Sequence, residues 1–545
     1  MKKSVLKKIC AVTTTITISC CVLRNSNVNA AGNVYFNEVK PNFNYLTDLN
    51  NIKLNGTSNI NQKGLGKKGS SIKITKNLSL PNLKKDANLP AQYDSRSYGF
   101  ITSVKDQGSV GSCWAFAATA ALESYLLKSG QGSYDLSENN LVTENGFDDL
   151  SFEYNGGIRD MATAYYASWN GPALEKDDPY PENASPFDIV VRGKMKPVKH
   201  VQDVLYLPDR TNSTDNSEIK QAVMQYGSVD SSIHYDDKYY NAANHSFYNT
   251  VPLDTNDPNN TAANHDITIV GWDDNYSASN FSPAAPGNGA FICKNNWGTS
   301  WGDNGYFYVS YYDTIIGTDT TVFTAEAANN YDNIYQYDPL GYVTYLTGNS
   351  SSTWYSNVFT AGSASNEDLA AVSFYTLEQG QGYQIYIKHN AASGDFSNLI
   401  PLKSGTIAEA GYHTIKLDKK VLLKQGEKYA IVVKTTAASG DAKIPVEDLE
   451  YSYSSNAASS AGESYVSIDG LSWTDITTEY SDANVCLKAF TDKSRDLNKD
   501  GKVDILDLAQ EAQAYNTKTS SSSYNDLNSD SIIDVYDLVK IASDM

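Results

Sequence analysis

The chain has 545 residues, 41% of them hydrophobic and 19% charged, and a formal net charge of −20. An acidic excess of that size sets nucleic acid aside as a partner. The N-terminal apolar run, Ile9–Leu23, is too short and too rich in threonine to span a membrane.

In chain order, Lys2, Lys3, Lys7 and Lys8 precede that run, and the small-residue exit Val28–Ala31 follows it. This is the layout of a secretory signal peptide, residues 1–30, cut after Ala30, which puts the protein outside the cell or at its surface. Cys20–Cys21 raises lipid attachment as a variant, although the preceding residues fit that signal poorly. The stretch Asn33 to Pro90 changes character, with nine lysines against three acidic residues (Glu38, Asp48 and Asp86). Leader and body carry opposite signs, so the leader reads as a segment that lies along the body. A basic, disordered spacer is the competing reading.

Val104–Phe116, VKDQGSVGSCWAF, carries the first chemistry. A glycine-rich turn delivers Cys113 to the head of an Ala- and Leu-rich run without Gly or Pro, predicted as a buried helix to about Ser129. A thiol at a helix N-terminus sits in a field that favours thiolate. Gly108 and Gly111 allow a ligand close to the backbone, and Gln107 can aim an amide at the same place. A nucleophile with donors for an oxyanion is what acyl transfer needs. Among the six histidines, His265 stands at the entrance of an apolar strand, Ile267–Val270, where a scaffold can fix it. His245, in NHSFYN, has no such strand after it. Further on, the strand Phe291–Lys294 delivers Asn295, followed by Trp297 and Trp301.

In this order and these contexts, Cys113, His265 and Asn295 resemble the papain family of cysteine peptidases, from about Leu89 to about Phe323. The resemblance implies an α+β, two-lobed papain-like peptidase domain over residues 89–328. It also implies a zymogen, with residues 31–88 as propeptide and cleavage near LPAQYDSR (Leu89–Arg96). Cys113 is implied as nucleophile, His265 as general base and then acid, Asn295 as the residue that orients the imidazole, and Trp297 as its shield from water. Gln107 and the backbone N–H of Cys113 are implied as the oxyanion hole, and no cofactor is implied for catalysis. The family pattern Lys-Asn-x-Trp selects Asn295 over Asn296, whose side chain faces the other way along a strand.

From YNGG (Tyr154–Gly157), Gly156 and Gly157 are implied to line the substrate backbone, with Ile158 and Arg159 where pocket residues are expected. Asp266 stands where plant members carry a small apolar residue. An arginine and an aspartate there would alter specificity; ordinary solvated charge is the alternative. The family's usual bridge between the loop before the nucleophile and the residue before Asn-Gly-Gly is missing, since those places hold Val110 and Tyr154. Cys293 and Cys486 read as buried hydrophobes.

Short alternating strands follow over residues 331–491: Leu369–Thr376, Tyr383–Asn390, Tyr412–Leu423 and Glu427–Thr435. Separated by Gly, Asn and Ser turns, they predict an all-β sandwich. GESYVSIDGLSWTDI resembles the lectin-like domain fused behind bacterial papain-type peptidases, which implies an accessory that binds carbohydrate or substrate, or packs against the peptidase. A spacer is the alternative.

In residues 494–545, DLNKDGKVDILDLA at Asp496 recurs as DLNSDSIIDVYDLV at Asp526. Asp496, Asn498, Asp500, Asp504 and Asp507, then Asp526, Asn528, Asp530, Asp534 and Asp537, put oxygen ligands at loop positions 1, 3, 5, 9 and 12. Lys502 and Ile532 offer the backbone carbonyl at position 7, completing two Ca2+ sites. A helix follows each loop (Leu508–Tyr515, Leu538–Ala542) and none precedes it. That resembles a type I dockerin, a small α-helical module with paired calcium loops that plugs into a cohesin on a scaffold protein. Gly501 supplies the sharp turn of the first loop and Ser531 replaces it in the second, predicting a weaker second site.

The expectation is a secreted bacterial cysteine endopeptidase that hydrolyses protein or peptide substrates through an acyl-enzyme. A catalytically idle surface adhesin that keeps the peptidase shell is one alternative, and the intact set of site residues argues against it. A peptide ligase or transglutaminase is another, and WGTSWGDNGYF fits a peptidase better.

Overall fold

The computed structural model describes residues 36–39, 65–67, 74–76, 89–148, 156–251 and 263–545, apart from 364, 393, 452, 499–501, 520–522, 524, 529 and 544. The expected signal peptide, Tyr154, Asp500 and Gly501 lie outside the described residues.

The predicted helix forms over Cys113–Lys128. Ala and Leu carry little helix cost, and the run is apolar on every side because it is enclosed on every side. It packs on the helices Glu138–Glu144 and Arg159–Ala167 and on the strand His265–Asp273. Trp114, Leu122, Leu126, Tyr165 and Tyr166 belong to the core of this first lobe.

The second lobe is an antiparallel sheet. Thr318–Ala327, Val229–Ile233, His265–Asp273, Ala290–Lys294 and Tyr306–Ser310 follow one another across it. Ala290–Lys294 is buried throughout, which explains why it reads as an unbroken apolar run. Ile267, Ile269, Trp272, Phe291 and Phe307 pack beneath the sheet. His265 is the first residue of its strand rather than the residue before it, because it pairs with Ile233.

The sheet does not stop at the peptidase. Thr318–Ala327 pairs with Lys199–Tyr206, which pairs with Ala410–Leu423, and Glu367–Thr376 and Leu487–Lys493 continue beyond it. Gly411 makes the junction: its φ is 134°, and a Cβ there would lie 1.9 Å from the carbonyl oxygen of Val204. A second sheet of six strands, with Ser352–Thr360, Gln381–His389 and Lys428–Thr436 at its centre, closes the sandwich. Tyr355, Ile385, Ile431 and Val433 from it meet Leu369, Val372, Phe374 and Leu487 from the shared sheet. The sandwich therefore packs against the peptidase through continuous backbone pairing.

Described pieces of the leader lie on this framework. Asn37–Val39 pairs with Thr344–Thr347 of the sandwich half. Ile74 is buried in the first-lobe core, and the Lys76 ammonium lies 2.7 Å from Asp215 and 3.0 Å from Glu218.

At the C-terminus, helices form over Ile505–Ala512 and Val535–Ala542. They start three residues earlier than expected, because Asp504 and Asp534 cap them in boxes closed by Asp507 and Asp537. Ser531 adopts φ 72°, the left-handed conformation that glycine takes without strain. Leu497, Leu527 and Ile541 form a small core of their own.

Candidate active site

Cys113 is the first residue of its helix and is fully buried. Backbone N–H groups of Asp266 and Gly66 point at its sulfur. Asn296 pins the helix head to the His265 strand: its Nδ2 donates to the carbonyl of Asp266 at 3.1 Å and to that of Cys113 at 3.4 Å.

The His265 Nε2 lies 2.8 Å from Asn295 Oδ1. The same Oδ1 accepts the backbone N–H of Asn296 at 2.9 Å, which identifies the atom as oxygen. Nε2 is then the donor, and Nδ1 is the basic nitrogen of the neutral ring. Trp297 stacks on the imidazole at 4.5 Å and 25°, and Tyr235 and Trp301 meet Trp297 edge-on at 4.7 and 5.1 Å. Asn295 and Asn296 thus serve different partners, the first the imidazole and the second two backbone carbonyls. His245 sits in a turn with its Nδ1 3.2 Å from the Tyr240 hydroxyl.

Gln107 is buried, its Nε2 donating to the carbonyl of Val110 at 2.6 Å and its backbone N–H to that of Asn296 at 2.9 Å. The first bond uses one of the two amide hydrogens. These bonds couple the glycine-rich turn to the segment that carries Asn295.

The leader enters this cleft. The N–H of Gly157 donates to the carbonyl of Gly66 at 2.8 Å, and the N–H of Lys67 donates to that of Asn264 at 3.1 Å. Lys67 and Gly157 run parallel. Gly66 can be nothing larger, since a Cβ there would lie 1.8 Å from the carbonyl oxygen of Gly111. The Lys67 ammonium stands 3.1 Å from Asp266 Oδ2 and 3.7 Å from Asp319 Oδ2. Burial works against its charge, yet Asp266, Asp319 and Asp230 outweigh burial and raise its pKa. Ser232 Oγ donates to the other Asp266 oxygen at 2.7 Å.

The sulfur departs from expectation. Burial first, and Asp266 second, push the Cys113 thiol up from 9.0 to about 12. With the leader seated, loss of water outweighs the helix-terminus field, and the sulfur carries its proton at neutral pH. Of the candidate pocket residues, Gly157 meets the leader backbone, Asp266 meets the leader lysine, and Arg159 pairs with Asp319 at 3.6 Å. Gly66, Lys67, Asp230 and Asp319 were not singled out by the sequence; only the leader's charge pointed toward them.

In the C-terminal repeats the two loops close alike. Asp507 accepts the backbone N–H groups of Asn498 and Asp504 at 3.0 and 2.8 Å, and Asp537 accepts those of Asn528 and Asp534 at 3.1 and 2.9 Å. Asp526 accepts from Asp530 and Ser531 at 3.1 and 2.8 Å. Among the described residues no group of three or more His, Cys, Asp or Glu side chains is gathered tightly enough to hold a metal.

A buried cysteine at a helix head, its sulfur met by the backbone N–H of the residue that follows a histidine held by an asparagine under a tryptophan, defines a class: thiol-dependent peptide hydrolases. The chain matches the papain family cysteine protease model over residues 89–325 and the lectin like domain model over residues 334–491. It is 30% identical over 285 residues to the probable cysteine protease RD19B of Arabidopsis thaliana, covering 50% of this chain and 72% of that one. It is 29% identical over 225 residues to cathepsin L of Sarcophaga peregrina, covering 40% and 58%. In structure it is similar to the cysteine protease and lectin-like domains of Cwp84, a surface layer associated protein of Clostridium difficile. The TM-score is 0.67 at 28% identity, covering 84% of this chain and 98% of that one. Cwp84 after propeptide cleavage aligns with a TM-score of 0.63 at 30% identity, covering 73% and 98%. The chain belongs to the papain family of cysteine proteases, and a lectin-like β domain follows its peptidase domain.

Proposed function

We propose that the protein is made as a zymogen whose nucleophile is Cys113 and whose leader occupies the cleft. The observation that carries this reading is the 2.8 Å bond from His265 Nε2 to Asn295 Oδ1 under the Trp297 ring, with the N–H of the next residue, Asp266, directed at the Cys113 sulfur. Nδ1 takes the thiol proton and the thiolate attacks the peptide carbonyl. The oxyanion that forms accepts hydrogen bonds from Gln107 and the Cys113 N–H. The imidazolium then returns its proton to the leaving amine, and water, deprotonated by the same ring, hydrolyses the thioester to a free carboxylate and thiol. Asn295 keeps the ring in the tautomer this cycle requires.

Autocatalytic removal of residues 31–88 near Leu89–Arg96 would open the cleft. Turnover of a casein-like substrate tests the assignment: the wild type should mature and turn it over, and Cys113→Ala should do neither while remaining folded. Turnover by folded Cys113→Ala would refute it, and an inactive, folded wild type would favour the adhesin.

We also infer that the protein is exported and held at the cell surface, a reading supported by its similarity to Cwp84, a surface layer associated protein, and that the sandwich carries a carbohydrate site. The C-terminal repeats are read as a dockerin that takes two Ca2+ ions and a cohesin partner. Their donors suit that ion: all are oxygens, and Asp496, Asp507, Asp526 and Asp537 are buried carboxylates. Asp496, Asn498, Asp500, Lys502, Asp504 and Asp507 would hold one ion through side chains and the Lys502 carbonyl. Asp526, Asn528, Asp530, Ile532, Asp534 and Asp537 would hold the other, with Ile532 supplying the carbonyl.

A further inference from the structure

Beside the sulfur lies a pocket filled from the leader. Gly66 abuts Cys113, and the side chain of the next residue, Lys67, runs in among Asp230, Asp266, Asp319 and Arg159. Lys67 and Asp266 are sealed from solvent, each side chain 1% exposed. Asp230 is equally buried, and neither of its oxygens has a hydrogen-bond partner. Burial first, and Asp266 second, push its carboxyl well above the usual carboxylate range, and the Lys67 ammonium works against that rise by favouring the charged form. Arg159 is committed to Asp319, 3.6 Å away, and to the face of Tyr206, 4.1 Å away. Departure of the leader therefore leaves three carboxylates facing one guanidinium, in a dry pocket next to the nucleophile.

We propose that this pocket is a lysine-recognition site and that the mature enzyme cleaves chains with a lysine at the second residue before the scissile bond. The position follows from the direction of the leader: Gly66 stands at the sulfur and Lys67, the next residue, pairs with Gly157 in the parallel sense, so a substrate laid antiparallel along Gly157 with its attacked residue at the sulfur sets the residue before that one over the Lys67 pocket. An incoming ammonium takes the place of the Lys67 ammonium on Asp266, with Asp230 and Asp319 behind it. An apolar side chain would leave these carboxylates buried without a countercharge, so the pocket rejects it. The proposal rests on the reading of Cys113 as nucleophile.

The test uses the matured full chain and coumarin peptides that differ only at that residue: lysine, norleucine or leucine. Lysine should exceed norleucine in kcat/KM by about 100-fold or more, the scale of a buried charge pair. Asp230→Asn, or Asp319→Asn should the first fail to fold, should lower that ratio at least about tenfold. Active sites are counted with a thiol-directed epoxide. Equal cleavage of norleucine and lysine peptides by enzyme whose active sites titrate with the epoxide in a parallel sample would overturn the lysine site and leave the nucleophile standing. Absence of both labelling and cleavage would overturn the nucleophile reading itself.

Discussion

The Lys67 ammonium lies 3.1 Å from Asp266 Oδ2, and both side chains are closed off from water. The pair joins the leader to the residue directly after the candidate base. Removing one partner of a buried pair costs about 3–5 kcal/mol, because the other is left charged and unpaired. Lys67→Met should therefore loosen the leader. We expect alkylation of Cys113 in the unprocessed protein to accelerate by about 100-fold or more, read by mass spectrometry; an unchanged rate would show that the pair does not hold the leader.

The thiol gives a pH prediction. Its pKa in the leader-closed state is raised by burial to about 12 from 9.0. A raised acid favours the closed state fully below its ordinary range, and that contribution is lost as pH climbs from 9 toward 12. In the precursor, iodoacetamide should react negligibly at pH 7 and about tenfold faster per pH unit above it. The matured enzyme, its sulfur rehydrated, should react readily at neutral pH.

Asn295 and Asn296 should separate by role. Asn295→Ala frees the His265 ring, so kcat should fall about 10²-fold with little change in KM. Asn296→Ala removes the donor to the carbonyls of Asp266 and Cys113. It should cost about 1 kcal/mol per bond in thermal unfolding and affect turnover less.

Gln107→Ala should lower kcat by about 10²–10³-fold, the effect of one oxyanion donor. The variant also loses the bond to the Val110 carbonyl. Gln107→Glu serves as the check, because it keeps the shape and loses the donor; kcat close to wild type in this variant would remove Gln107 from the oxyanion hole.

Chelation of Ca2+ should unfold the C-terminal repeats and leave casein turnover unchanged, because the proposed calcium ligands all lie beyond residue 494. Circular dichroism of the full chain with and without EDTA, paired with activity, reads both effects.

Much of the site was legible because its chemistry is local in the chain. Cys113 sits where a glycine turn meets an apolar helix, and Asn295 where an apolar strand ends; these local contexts brought both forward, and the resemblance to the papain family assigned their roles. The alternation of Tyr383–Asn390 announced a sandwich face, and the strand forms over Gln381–His389. The pairing of His413 with Asp203, which fuses the sandwich to the peptidase sheet, is long-range and leaves no periodic trace. Lys67 was one of nine leader lysines, and nothing in its neighbours distinguishes the one that finds Asp266. The protonated sulfur was hidden for the same reason: burial by the leader depends on a contact between distant segments.

Epoxide labelling of the precursor and the matured chain at pH 7, with the adduct mapped by peptide mass spectrometry, tests the central claim most directly. The account predicts one adduct per matured molecule, on Cys113, and almost none on the precursor. An adduct on Cys293 or Cys486 instead, or equal labelling of both forms, would contradict it.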